Sequence, residues 1–134
     1  MQEVFCAITA VIKDDDKFLI IKKSWTNLWS IPGGKIEYGE NPFNTLHREI
    51  KEEVGLAVRI IKPIGIWWFF RVIDDKQVVC FTYLCEPENE DVDISKNPGK
   101  DNITEFKWVT KDEFLQNNEY TPDHESLREL IKNL

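Results

Sequence analysis

The chain has 134 residues, the length of one domain, and its 42% hydrophobic and 31% charged content excludes a disordered or fibrous class. Acidic residues outnumber basic ones 24 to 17, for a net charge of −7. A surface that negative disfavours binding to polymeric nucleic acid, but a small phosphorylated substrate is acceptable where local cations receive it. No apolar run approaches the roughly 18 residues that span a membrane. The opening Met1-Gln2-Glu3 lacks the basic charge of a secretory signal. Cys6, Cys80 and Cys85 are odd in number and have no CxxC spacing, so neither a disulfide framework nor a thiolate zinc site is expected. The expectation is a cytoplasmic protein with buried, reduced thiols and no membrane partner.

Val4 to Ile12 is rich in β-branched residues and predicts a first strand, with a turn over Lys13 to Lys17 and a second strand from Phe18 into Lys22-Lys23. Ser24 to Gly34 reads as a loop that holds Trp25 and Trp29 and ends in Pro32-Gly33-Gly34. A helix follows. Asn41 suits its N-cap, Pro42 its first turn, where a missing N–H costs nothing, and Gly55 its C-terminal end. Phe43, Leu46, Ile50 and Val54 recur at helical spacing as one buried stripe. Strands are expected over Leu56 to Ile61, Ile64 to Ile73 and Gln77 to Leu84, with a turn at Asp74-Asp75-Lys76, and then a solvated acidic loop over Glu86 to Asp93. Ile103 to Val109 predicts a further strand. Thr110 with Glu113 forms a capping box for a short helix. Thr121-Pro122 opens a C-terminal helix whose apolar side carries Leu127, Leu130, Ile131 and Leu134. This order predicts one mixed sheet with helices packed on it.

On the first helix Glu49, Glu52 and Glu53 stand at i, i+3 and i+4. They share a face beside the apolar stripe, where like charges cost a few tenths of a kcal/mol per pair. Clustered carboxylate oxygens are what a hard divalent cation prefers, and such a cation turns the repulsion into a site. Gly33 and Gly34 lack Cβ atoms, so their backbone can approach an ion or a phosphate closely. Arg48 lies beside the carboxylates and can hold Glu40 or a phosphate with two parallel hydrogen bonds.

The segment GKIEYGENPFNTLHREIKEEVGL, residues 34–56, resembles the signature of the Nudix hydrolase family at every fixed position: Gly34, Glu40, Arg48-Glu49-Ile50, Glu52-Glu53 and Gly55-Leu56. The approach Leu28 to Lys35 resembles the family's as well, with Ile31 where Phe or Leu is common. The resemblance implies a single domain over residues 1–134 with an α/β/α sandwich around a mixed sheet. It implies a MutT-like hydrolase acting on a nucleoside diphosphate linked to another group. Glu49, Glu52 and Glu53 correspond to the family's carboxylate metal ligands and Gly33 to a carbonyl ligand. The metal is Mg2+, with Mn2+ an alternative. Glu49 is the first choice for the base that takes a proton from the attacking water, with Glu52 and Arg48 completing the catalytic set. Some members use an acid outside the signature, for which Asp101 and Glu105 are secondary candidates. A homodimer is compatible with the resemblance.

For the substrate, Gly34, Lys23 at the end of the second strand and Arg71 are the candidate contacts. In Ile66-Trp67-Trp68-Phe69-Phe70-Arg71, alternation sends Trp67, Phe69 and Arg71 to one face and Trp68 and Phe70 to the other. One set belongs to the core, and the other can line a cleft where a ring stacks on a base and Arg71 meets phosphate. Markers that distinguish the family's ADP-ribose, dinucleoside polyphosphate, NADH and coenzyme A groups are missing, which favours a nucleoside triphosphate or nucleotide sugar. The alternative is a catalytically silent nucleotide sensor of the same fold. Such proteins usually lose a signature glutamate, and this chain keeps them all.

Overall fold

The computed structural model describes residues 2–24, 26–71, 74–89, 91–95, 103–117, 120 and 124–134. Among the described residues seven strands and three helices run in the order β1 (Glu3–Asp14), β2 (Lys17–Lys23), β3 (Trp29–Ser30), β4 (Gly33–Lys35), α1 (Pro42–Val54), β5 (Val58–Arg71), β6 (Lys76–Pro87), β7 (Ile103–Thr110), α2 (Lys111–Gln116) and α3 (Glu125–Lys132). The sheet is mixed. Its path is β3-β2-β1-β6-β5, with β4 paired to β1 and β7 paired to β2. β1 runs parallel to β6 over ten residue pairs, from Glu3 beside Lys76 to Ile12 beside Cys85, while the other pairings are antiparallel.

The unbroken apolar run of β1 has a direct physical cause: both of its faces are covered. Ile8, Ala10 and Ile12 belong to a core completed by Leu46, Ile50 and Val54 of α1. Ala7 and Val11 point the other way, into a core closed by Phe114 of α2 and by Leu127, Leu130 and Ile131 of α3. Helices therefore lie on both sides of the sheet, as the sandwich requires. Gly65 permits the close approach of α3, since a Cβ there would sit 2.8 Å from Leu130 Cδ1.

Several expectations need correction. The two strands expected over Leu56–Ile61 and Ile64–Ile73 are one, β5, whose register against β6 slips between Ile60 and Lys62 and again between Pro63 and Gly65. β5 is an edge strand, where a proline removes no essential ladder bond. The stretch expected to be a loop before Gly34 contains β3 and the start of β4, because tertiary pairing with β2 and β1 overrides local composition. The turn expected over Lys13–Lys17 is tighter, with β1 running to Asp14 and β2 starting at Lys17. Asp15 there takes a left-handed φ of 60°. Phe43, in the first turn of α1, is 44% exposed rather than buried, and its ring meets Tyr83 of β6 edge-on at 5.3 Å. The last helix begins at Glu125, and Leu134 lies past its end and is 43% exposed. Thr121 and Pro122 lie outside the described residues, as does Trp25.

Cys80 and Cys85 are buried as expected, but Cys6 is exposed. Burial pushes both buried thiols up to about 12. We therefore expect Ellman's reagent to titrate one thiol per folded chain at pH 8, and three in denaturant. A Cys6→Ser variant should then show none until it unfolds.

Candidate active site

The site is built on α1. The Asn41 side-chain oxygen accepts a hydrogen bond from the Phe43 N–H at 2.9 Å, which starts the helix. Gly55, left-handed with φ of 71°, ends it by donating its N–H to the Lys51 carbonyl at 3.0 Å. Complete burial of Leu46, Ile50 and Val54 fixes the rotation of the helix about its axis. That rotation leaves Glu49, Glu52 and Glu53 on the flank facing β4.

The three carboxylates differ in surroundings. Glu53 is buried at 6% exposure. Its Oε1 accepts the Gly33 N–H at 2.9 Å, and its Oε2 lies 3.8 Å from Lys23 Nζ. Glu49 is partly buried, which pushes its carboxyl above the usual carboxylate range, and the neighbouring Arg48 charge opposes that shift. Glu52 is the most open of the three. Arg48 spans the group. It forks onto Glu40 with Nε–Oε2 of 3.1 Å and Nη2–Oε1 of 3.2 Å, and its Nη1 reaches Glu49 Oε1 at 3.1 Å and Glu52 Oε2 at 3.4 Å.

The two glycines are required by contact. A Cβ on Gly33, whose φ is 152°, would lie 2.2 Å from the Ile8 carbonyl oxygen of β1. A Cβ on Gly34 would lie 2.3 Å from Glu49 Cδ, so Glu49 occupies the space a side chain would take.

These groups open on a cleft of about 430 Å³ lined by Gly33, Gly34, Glu49, Glu52, Glu53 and Lys23 on one side. Phe5, Lys35, Trp67, Phe69 and Arg71 line the other. The alternation of β5 is thereby resolved: Trp67, Phe69 and Arg71 face the cleft, while Trp68 and Phe70 stand on the other face and are 47% and 60% exposed. The Trp67 ring stacks on Phe69 with centroids 5.3 Å apart. Its Nε1–H is held by Thr9 Oγ1 at 3.2 Å, which in turn pairs with Thr82 Oγ1 at 2.8 Å. Arg71 forks onto Asp74.

Lys23, Gly34 and Arg71 thus lie in the cleft with the signature carboxylates. Arg48 stands behind the carboxylates and does not line the cleft. Glu105 does not belong to the group either: it is exposed and paired with Lys22 at 2.8 Å, an outward position set by its place on β7. Asp101 lies outside the described residues. Sequence reasoning missed Phe5 and Lys35, whose ammonium sits 3.9 Å from the Phe5 ring centroid. Phe5 shares the strand parity of Ala7 and Thr9, a signal that is useless until the cleft-facing side of β1 is known. Trp29, Tyr83 and Trp108 belong to the core or its margin.

A NUDIX domain matches residues 5–134. The chain belongs to the NUDIX family. A MutT-like protein of Streptomyces ambofaciens is 25% identical over 103 residues, covering 77% of this chain and 61% of that protein. An ADP-ribose pyrophosphatase of Methanocaldococcus jannaschii is 34% identical over 64 residues, covering 46% of this chain and 38% of that one. The matches thus span less than two-thirds of these relatives' length. Among solved structures, a MutT protein from Methanosarcina mazei Go1 superposes with a TM-score of 0.82 at 22% identity, over 98% of this chain and 92% of that one. At that identity the likeness carries the fold, an α/β sandwich, and nothing finer.

NUDIX hydrolases generally use divalent metal ions. Among the described residues no three acidic, histidine or cysteine side chains converge on one point as they stand. The protein's own cations, Arg48 and Lys23, lie against the carboxylates instead. The donor set is nevertheless one of hard oxygens, with Glu49 lying in the space left by Gly34, and it fits a hard divalent cation.

The contact at Gly33 is with backbone and cannot yield. We expect Gly33→Ala to lower the free energy of unfolding by about 2–4 kcal/mol in urea denaturation. Gly39, where an added Cβ would meet nothing within 4 Å, makes the control despite its φ of 82°. Gly39→Ala should cost only about 1 kcal/mol.

Proposed function

We propose that the chain is a metal-dependent pyrophosphohydrolase that cleaves a nucleoside diphosphate linked to another moiety, by attack of water at phosphorus. The substrate class we favour is a nucleoside triphosphate or a nucleotide sugar. The observation that carries this reading is the cleft itself. One helix presents three carboxylates to a space whose opposite wall is aromatic and basic.

Each wall has a role. Phe5 and Phe69 offer ring faces to a nucleoside base, and Lys23, Lys35 and Arg71 offer cations to its phosphates. In a chain of net charge −7, these cations are what lets a polyanion enter. Gly33, Glu49, Glu52 and Glu53 would hold Mg2+, or Mn2+ in its place. When bound, such a cation neutralises phosphate charge and eases deprotonation of water. Glu49 is the base. Its partly buried carboxyl lines the cleft, where it would take a proton from the attacking water. Arg48 positions Glu49 and Glu52 through Nη1 while Glu40 anchors the rest of its guanidinium. Substitution at phosphorus depends mainly on positioning and charge stabilisation, which this rigid arrangement supplies. We read the site as acting in the cytoplasm on small nucleotides.

Glu53→Gln tests the reading. The amide oxygen can still accept the Gly33 N–H, so the fold should persist while one charge is lost. On a panel of nucleoside triphosphates, nucleotide sugars and ADP-ribose with magnesium, we expect the parent to release phosphate-bearing products. The variant should be slower by about 100- to 1,000-fold. EDTA should stop both, and added magnesium should restore the parent. Unimpaired turnover by the variant would overturn the site. Absence of turnover across the panel, with nucleotide still bound, would favour the sensor reading.

A further inference from the structure

A second cavity, of about 480 Å³, lies on the same face of the sheet as the cleft but at the other end of β1. Phe5, Ala7 and Thr9 line the cleft, whereas Val11 and Lys13 line this cavity. Thr9 and Lys13 are separated by on the order of 13 Å of strand.

The rim is basic. Lys13 of β1, Lys17 of β2, Lys62 of β5 and Lys111 of α2 surround the opening, together with one acidic side chain, Asp16, and the last residue, Leu134. Four separate elements bring them together. Lys17 pairs in register with Thr110, which delivers the adjacent Lys111. Lys62 and Val11 both flank Leu84, from opposite sides of β6. With Lys111 engaged by Leu134, the other three lysines exceed Asp16 by two positive charges, in a chain whose net charge is −7. Among the described residues Lys13, Lys17 and Lys62 form no ion pair with a side-chain carboxylate, although carboxylates outnumber cations in the protein. Lys111 is engaged, its Nζ donating to a main-chain oxygen of Leu134, the last residue, at 3.0 Å. The floor is apolar, made by Val11, Phe18, Ile64 and Leu84.

A solvated lysine face needs neither a concavity nor an apolar floor. Like charges held around a recess repel one another, and a ligand of opposite charge relieves that repulsion. A single carboxylate can meet only one of the three available lysines, whereas a diphosphate ester carries about three negative charges at neutral pH. We propose that this cavity binds a small organic diphosphate, its phosphates on Lys13, Lys17 and Lys62 and its uncharged body on the floor of Val11, Ile64 and Leu84. The site is separate from the cleft, and the proposal does not depend on the hydrolytic reading.

Calorimetric titration of the full chain with ADP, in EDTA at low salt, tests it. EDTA removes any contribution that divalent metal makes at the cleft. ADP should bind at one site, and more tightly than inorganic pyrophosphate, which leaves the floor empty. Lys13→Ala with Lys62→Ala should weaken ADP binding by about tenfold or more. Lys23→Ala, in the cleft, should change it by less than about twofold, as should Lys51→Ala with Arg59→Ala, which removes two charges elsewhere. Absence of binding by the parent would overturn the proposal. So would an equal loss on removing Lys51 and Arg59, which would mean a general charge effect. A loss on removing Lys23 would place ADP in the cleft and overturn it too. Pyrophosphate binding as tightly as ADP would remove the organic body from the proposal and refute it as stated.

Discussion

The buried carboxylate of Glu53 is the constraint on which the site depends. A carboxylate taken out of water is costly unless its oxygens are met by donors. Here one oxygen is met by the Gly33 N–H and the other faces Lys23. That single side chain ties α1 to β4 and to the end of β2. β4 is itself fixed by its pairing with β1, in which Gly33 stands opposite Thr9. The position of the helix, the course of the glycine strand and the central strand are therefore one problem with one solution. Both glycines follow from it, since a side chain at Gly33 would strike β1 and one at Gly34 would displace Glu49.

The electrostatics follow the same economy. Four glutamates within fourteen residues would repel one another on an isolated helix and loop. Arg48 converts that repulsion into order, because its planar fork engages Glu40 while one nitrogen is shared by Glu49 and Glu52. Lys23 does the equivalent for Glu53. The carboxylates are thus held ready without collapsing onto one another, and the aromatic and basic wall opposite them gives the cleft two unlike sides.

How much of this was legible in the sequence varies with the range of the interaction that decides each feature. The helix was legible because Asn41, Pro42 and Gly55 act within a few residues of themselves, and the facing of Glu49, Glu52 and Glu53 follows from helical geometry alone. The capping box of α2 was legible for the same reason, with both of its hydrogen bonds present. β4 was not: two glycines after a proline read as a turn, and only contact with Ile8 and Thr9 makes them a strand. Alternation along β5 separated Trp67 from Trp68 but could not say which faced the cleft, because that depends on β6 and α3. Phe43 obeyed the helical period and is still 44% exposed, since periodicity marks a direction and cannot tell how completely the partner surface covers it. The whole of the cleft's far wall shares this character. Phe5 and Arg71 are 66 positions apart and meet only through the register of β1, β6 and β5.

The parallel pairing of β1 with β6 has a consequence for how the chain is made. Residues 3–12 are synthesised well before their partner, residues 76–85. Until that partner has been made, this apolar strand has an unsatisfied edge. The hairpin with β2 covers only its far end, where Lys13 and Asp14 find Phe18 and Lys17. Long-range parallel contacts of this kind close slowly, because a large loop must be ordered before they form. The nascent chain thus carries a sticky strand for several seconds of translation, at about 5–20 residues per second. Any factor that shields residues 3–12 during that interval would raise the yield of native protein without altering its final stability.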